Sequence, residues 1–291
     1  MPELPEVETI RRQLKEVLVG KIISKIEVLR AKSFAGDPKS LIGRKIGDIQ
    51  RKSKVIEVSF EDHEEMVIVH LKMTGQLVYS TRSQISGDRS QEKRIVGGHP
   101  TADWVNELPS KHTRIVWTFK DGSKLFFNDM RVFGWMRVVS QSNYEKEIRK
   151  MAPDVIDDDF TLDYLFSLLK KTKKPVKLVL LDQDKVGGLG NIYVCDALFL
   201  AGIRPDRKAE SLDKSEVMRL HKTIVKVINL GIKYGGASAS NYVQVSGLGG
   251  TYQDHFLVYK RVGEKCLTCG TKIEKIKLGG RGTFYCPKCQ K

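Results

Sequence analysis

Cys266-Leu267-Thr268-Cys269, sixteen residues, then Cys286-Pro287-Lys288-Cys289 is the stretch that decides how this chain folds at its end and how the rest of it is read. Two Cys-x2-Cys pairs at this separation supply four thiolates for a tetrahedral ion, and four thiolates leave no open position for water or substrate. The spacing therefore predicts one structural Zn2+. Two disulfides are the other use of the same residues, and a reducing cytoplasm disfavours them. Between the pairs, Gly279-Gly280-Arg281-Gly282-Thr283 has turn composition and predicts a β-hairpin finger, within residues 257–291, with Arg281 at its tip. Cys195, the fifth cysteine, falls in a helical pattern and reads as a small buried hydrophobe.

Upstream of the finger, apolar residues recur at helical spacing over 162–171, 176–181, 192–201 and 214–230, which predicts a mostly helical domain over residues 151–256. A proline and a cluster of acids at Met151–Asp159 mark its start. Within it, Gly187-Gly188-Leu189-Gly190-Asn191-Ile192-Tyr193 enters a helix through glycines, so backbone N–H groups and Asn191 can face a phosphate. Close packing is the commoner reason for such an entry. The run Lys170, Lys171, Lys173, Lys174 and Lys177 ordinarily makes a solvated face, and on a basic chain it can also track a phosphate backbone. After Tyr234, Gly235-Gly236-Ala237-Ser238-Ala239-Ser240 predicts a loop, continued by glycines at 247, 249 and 250.

Residues 1–150 read differently. Val7, Ile10, Leu14, Val17 and Leu18 predict one helix ended by Gly20. Strands are then predicted over 21–29, 45–50, 55–60, 66–73, 113–119, 124–127 and 135–139, a β-rich first domain. Ser80–Lys111 loses the pattern and reads as a long loop or insertion. His70-Leu71-Lys72-Met73-Thr74-Gly75 closes one strand, and Asn128-Asp129-Met130-Arg131-Val132-Phe133-Gly134 forms a turn between two others. Apolar side chains on loops of a basic protein can unstack bases, with an arginine filling the vacated space. The alternative is that Met73 and Phe133 are core, which for Met73 is the commoner fate.

The composition narrows the partner. Lys and Arg number 50 against 35 Asp and Glu, a net charge of +15, which calls for a polyanion. Neither an 18-residue apolar run nor a signal-peptide pattern is seen, so the expected place is the cytoplasm and the expected partner is nucleic acid rather than a membrane.

Met1-Pro2-Glu3-Leu4-Pro5-Glu6 then adds chemistry. With the initiator Met removed, Pro2 is a free secondary amine. An α-amino group titrates near ~7.8 against ~10.4 for lysine, a gap of about 3.5 kcal/mol, so its unprotonated fraction near neutrality is far larger. A secondary amine attacking an aldehyde-level carbon gives a cationic iminium, an electron sink for elimination, and Glu3 is placed as general acid or base. The alternative is that both prolines simply start a helix.

Taken in order, the opening Pro-Glu-Leu-Pro-Glu, the Lys54 strand, His-Leu-x-Met-Thr-Gly, Asp-x-Arg-x-Phe-Gly, Gly-Leu-Gly-Asn-Ile-Tyr and the terminal finger resemble the formamidopyrimidine-DNA glycosylase family over essentially the whole chain. Leu4 favours this branch over the endonuclease VIII relatives, which usually carry glycine there. The resemblance implies an α+β multidomain fold: an N-terminal β-sandwich flanked by helices, then a helix-two-turns-helix domain with a β-hairpin zinc finger. It implies a bacterial, monomeric base-excision-repair enzyme that removes oxidised purines from duplex DNA and then cuts the strand by β and δ elimination.

By the same resemblance, Pro2 attacks C1′, Glu3 protonates the sugar ring oxygen, Lys54 assists the first elimination and Arg281 the second. Met73, Arg131 and Phe133 enter the gap left by the flipped nucleotide, Arg131 facing the orphaned cytosine. His70, His112, Asn191 and Lys177 contact the DNA backbone, to which the basic run adds Lys173. Glu6 and the Tyr234–Gln253 loop read the lesion. The chain departs from the family pattern at Lys72, usually glycine, at Val132, usually basic, and in the length of Ser80–Lys111.

Overall fold

The computed structural model describes residues 2–81, 94–98, 108–148, 151–237 and 250–291, which fall into two compact units. The first comprises Met1–Arg149 with Gly235–Gly250, the second Lys150–Tyr234 with Thr251–Lys291.

The first unit is a sandwich. Its opening helix α1 (Leu4–Leu18) is followed by strands β1 (Ile23–Val28), β2 (Phe34–Ala35), β3 (Ile46–Lys52), β4 (Val55–Phe60), β5 (Glu65–His70), β6 (Gly75–Ser80), β7 (Arg94–Gly98), β8 (Thr113–Phe119), β9 (Lys124–Asp129) and β10 (Trp135–Ser140), then helix α2 (Gln141–Ile148). One sheet runs β1-β8-β9-β6-β7 and the other β2-β10-β5-β4-β3. Strand alternation sends Ile115, Trp117 and Phe119 inward to meet Ile56, Val58, Val67 and Val69, and α1 adds Val7, Ile10, Leu14 and Leu18 to the same core. The opposite faces are not bare: Val78, Val116 and Phe126 cluster behind one sheet, and Tyr144 of α2 covers Met66 and Ile68 behind the other.

Among the described residues of this unit, β2, β6, β7 and α2 were not among the expected elements. Arg94–Gly98 is a strand within the stretch read as a loop, paired antiparallel to β6. Gly75–Ser80 is buried along its whole length, so its residues show no alternation by which to recognise a strand. The remainder of 82–107 lies outside the described residues.

The second unit is helical, with α3 (Leu162–Lys170), α4 (Val176–Leu180), α5 (Asn191–Ala201) and α6 (Lys214–Lys233) before the hairpin β11 (Glu274–Leu278) and β12 (Arg281–Tyr285). Helix α5 is buried on nearly every side, from Ile192 to Phe199, and is the centre of this unit. Helix α6 starts at a reciprocal cap: the Asp213 carboxylate accepts from Glu216 N at 2.8 Å, and Asp213 N donates to Glu216 at 3.0 Å. Cys195 is buried as expected and packs with Phe199, Val258, Ile273 and Phe284 beside the finger.

Candidate functional site

The N-terminal end of α1 is where the chemistry was expected, and the structure buries it. Pro2 and Glu3 are both buried, and Glu3 is the N-cap of α1 in a capping box with Glu6. Glu3 N donates to Glu6 Oε2 at 2.7 Å, while Glu6 Oε1 accepts from Ala237 N at 2.6 Å. One carboxylate thus fixes both the helix start and the beginning of the glycine-rich loop. Gly236 has φ +84°, and a Cβ there would lie 2.8 Å from Glu6 Cγ, so only glycine fits this approach. Residues 238–249 of the loop lie outside the described residues, and so does Met1.

Lys54 is buried in the β3–β4 turn, after Ser53 at φ +54°. The turn is tied to α1 by a network that the motifs do not reveal. Arg51 Nη1 donates to Ser53 O at 2.8 Å and Arg51 Nε to Glu8 at 3.2 Å, and Glu8 also takes Arg11 at 2.8 Å and Arg12 at 2.7 Å. Burial alone would raise the Glu8 carboxyl, but the bonds from Arg11 and Arg12 and the charge of Arg51 outweigh it and hold it at about 2. Because this lies below the ordinary glutamate value, the network stabilises the fold fully above about pH 4.5 and loses that contribution as pH falls towards 2. Glu8→Gln is expected to lower stability near neutrality by about 2 kcal/mol and to flatten the acid limb of a pH–stability profile.

The loops that carry Met73 and Phe133 meet. Met73 and Phe133 are 43% and 47% exposed, so the core alternative fails for both. Arg131 Nη1 reaches Met73 Sδ at 3.2 Å, and its guanidinium lies 4.7 Å from the Phe133 ring centroid. Asp129, fully buried, organises the cluster. It accepts from Phe133 N at 2.8 Å, Gly134 N at 2.7 Å and Arg131 N at 3.2 Å, and from the Thr74 hydroxyl on the other loop. An Asp at the head of a turn commonly binds its own following backbone, which is the signal that could have identified it. His112 sits at the base, where its carbonyl accepts from Asp129 N at 2.9 Å.

His70 Nδ1 accepts from Lys72 N at 3.0 Å, which leaves Nε2 to carry the proton. Burial first, then the charges of Lys72, Lys54 and Arg137, lower the imidazole to about 3, so it is a neutral donor at physiological pH.

Two residues of these loops, Lys72 at φ +51° and Val132 at φ +55°, occupy the left-handed region without being glycine. A β-branched side chain there costs about 1–2 kcal/mol. Val132→Asn is expected to raise the melting temperature by a few degrees in a thermal scan, since Asn tolerates this conformation.

In the second unit the glycine-rich helix entry and the finger converge. Asn191 Nδ2 donates to Gly282 O at 3.0 Å and Lys177 Nζ to Thr283 Oγ1 at 2.6 Å, both on β12 beside Arg281. Lys177 is fully buried, which corrects the reading of it as part of a solvated basic face; Lys173 remains exposed. Helix α4 turns Lys177 inward while the run before it stays outside. Arg281 is exposed at the hairpin tip, after Gly279 and Gly280 at φ +55° and +75°, the conformation a two-residue turn requires. Asp196 on α5 anchors the chain entering the finger: it accepts from the N–H groups of Leu257, Val258 and Tyr259 and from Tyr252. Burial pushes its carboxyl up to about 6 despite these bonds.

The four cysteine sulfurs Cys266, Cys269, Cys286 and Cys289 lie within 4.8 Å of one another, with Cys266–Cys289 at 3.9 Å and Cys269–Cys286 at 3.5 Å. Tetrahedral zinc with Zn–S near ~2.3 Å requires S···S edges of about 3.8 Å, so the site fits one structural zinc. None of the four is in a disulfide.

Three family models match in series: the formamidopyrimidine-DNA glycosylase N-terminal domain over residues 1–136, its H2TH domain over 151–243 and a zinc finger found in FPG and IleRS over 263–291. A formamidopyrimidine-DNA glycosylase of an Exiguobacterium species is 38% identical, covering 100% of this chain and 99% of its own. That of Geobacillus kaustophilus is 36% identical over the full length of both. Among solved structures, a Lactococcus lactis FPG mutant in complex with Fapy-dG DNA superposes with a TM-score of 0.86 at 33% identity, and the wild-type enzyme with oxidised-pyrimidine DNA at 0.84 and 33%, each covering both chains fully. A sandwich that begins Met-Pro-Glu, a helical H2TH unit and a four-cysteine finger are the parts of a DNA-repair glycosylase. The chain belongs to the formamidopyrimidine-DNA glycosylase family.

Proposed function

We propose that the protein is a bifunctional DNA glycosylase and apurinic/apyrimidinic lyase that excises oxidised purines, 8-oxoguanine and formamidopyrimidines, from duplex DNA. Residues 1–150 carry the chemistry, 151–256 hold DNA and read the lesion, and 257–291 form the finger. The observation that carries the reading is the Met73–Arg131–Phe133 cluster, an exposed apolar wedge with a cation in contact, which suits the gap left by a flipped nucleotide.

With Met1 removed, the Pro2 nitrogen attacks C1′, the base leaves with the glycosidic electron pair, and the proton the amine gives up is taken by Glu3. Glu3 then delivers a proton to the sugar ring oxygen as the C1′–O bond opens to an iminium. Loss of a C2′ proton expels the 3′ phosphate, and loss of a C4′ proton expels the 5′ phosphate. Lys54 and Arg281 neutralise the departing phosphates. His70, His112, Lys173, Lys177 and Asn191 serve the DNA backbone: His70 through its neutral Nε2–H, and Lys177 by holding the strand that presents Arg281. Glu6 couples the lesion-reading loop to the start of the helix that follows Pro2 and Glu3. Zinc supplies no reaction step; it folds the finger. No described helix is long and apolar enough to cross a membrane, and an enzyme working on chromosomal DNA belongs in the cytoplasm at the nucleoid.

Oxidised pyrimidines are the second reading, favoured by the DNA bound in the Lactococcus lactis complex. Single-turnover excision on matched duplexes carrying 8-oxoguanine, a formamidopyrimidine or an oxidised pyrimidine separates the two. Faster release of the purine lesions is expected; faster release of the pyrimidine would reverse the assignment.

A further inference from the structure

Beside the wedge, the N-terminal unit carries a cleft of about 540 Å3. Met73 and Phe133 line it together with Lys32, Phe34, Lys72, Trp135 and Arg137. We propose that this cleft binds a phosphate-bearing nucleotide of the duplex next to the wedge, its base against Trp135 and Phe34 and its phosphate between Lys32, Lys72 and Arg137. The proposal rests on the DNA reading given above.

The lining holds three cations and no carboxylate, together with aromatic and apolar side chains. That combination suits a flat ring carrying a negative charge. Arg137 already stacks on Trp135, its guanidinium 4.1 Å from the ring centroid, so charge and π-surface are presented as one platform. The His70 ring lies 5.7 Å from Trp135, and its lowered basicity, set first by burial and then by Lys72, Lys54 and Arg137, reports the positive field converging here. Lys72 and Val132, the left-handed residues, both line the cleft, and strain of this kind persists where the surroundings require it. A strand nucleotide is preferred over a free one because Met73 and Phe133 of the wedge are themselves among the lining residues of the cleft.

The test is binding of the full chain to a duplex with a tetrahydrofuran abasic analogue, followed by fluorescence anisotropy across a salt titration. Lys72→Asn/Arg137→Gln is expected to reduce the slope of log K against log [salt] by about 1 and affinity at ~0.1 M salt about tenfold. Trp135→Leu should lower affinity without changing the slope, and Lys39→Gln, a cation outside the cleft, should change neither. Wild-type affinity and slope in the double variant would overturn the proposal. Quenching of tryptophan fluorescence by millimolar dGMP, coupled to unchanged duplex binding in the variants, would overturn it too, by making the cleft a small-molecule site. A wild-type chain that does not bind the duplex would sink the parent reading instead.

Discussion

Glu3→Gln is expected to slow base release by two to four orders of magnitude while leaving the fold intact. The glutamine carbonyl can still accept from the backbone of the first turn, as the Glu3 carboxylate does in its capping box, so helix α1 keeps its start. What the proposed mechanism loses is the proton that Glu3 delivers to the sugar ring oxygen. The variant should therefore melt within a few degrees of the natural chain and bind the abasic-analogue duplex with similar affinity. Single-turnover release of 8-oxoguanine, with a thermal scan alongside, checks both halves. A natural rate in Glu3→Gln would remove Glu3 from the mechanism; a large loss of stability would make it structural.

Zinc removal is expected to have the other large effect. The finger has a small apolar core, mainly Ile273 and Phe284 packed with Phe199 and Val258 around the cysteines, too little to fold a hairpin of this size without a cross-link. A structural zinc contributes on the order of 10–16 kcal/mol to such a domain. Chelation, or Cys286→Ser, should unfold β11 and β12 and leave Lys177 and Asn191 without Thr283 and Gly282. DNA affinity should fall by at least about a hundredfold, since the hairpin that presents Arg281, the residue proposed above to meet phosphate, is then unfolded. The sandwich should keep its own melting transition, because its core draws on other residues. Metal analysis, calorimetry and anisotropy measure the three quantities. A zinc-free chain with protected finger amides and full affinity would contradict the assignment.

The finger was the most legible part of the sequence because metal ligation is local: two short cysteine pairs and a Gly-Gly turn specify it, and Arg281 stands at the tip as the spacing implied. The alternating strands, such as Val55–Phe60, were equally readable. β6 was not, because burial on both faces erases period-two alternation, and β7 contains two glycines that carry no hydrophobic signal. Side-chain fate was harder than element type. Composition favoured a core position for Met73, yet it is exposed, because its loop is held from beneath by Thr74 and Asp129. Composition likewise grouped Lys177 with exposed lysines, yet one helical turn carries it inside. The Glu8–Arg51 link joins residues 43 apart and has no local pattern at all.

That the Pro2 amine, freed by removal of Met1, is the nucleophile is tested most directly by borohydride trapping on a duplex with 8-oxoguanine opposite cytosine. The natural chain, Pro2→Gly and a chain with an N-terminal extension are compared, each of confirmed terminus and zinc content. A covalent protein–DNA adduct that survives denaturation and disappears when the terminus is blocked is the predicted result. No adduct from the natural chain on either 8-oxoguanine or a plain abasic site would contradict the account and leave a protein that binds DNA without cutting it.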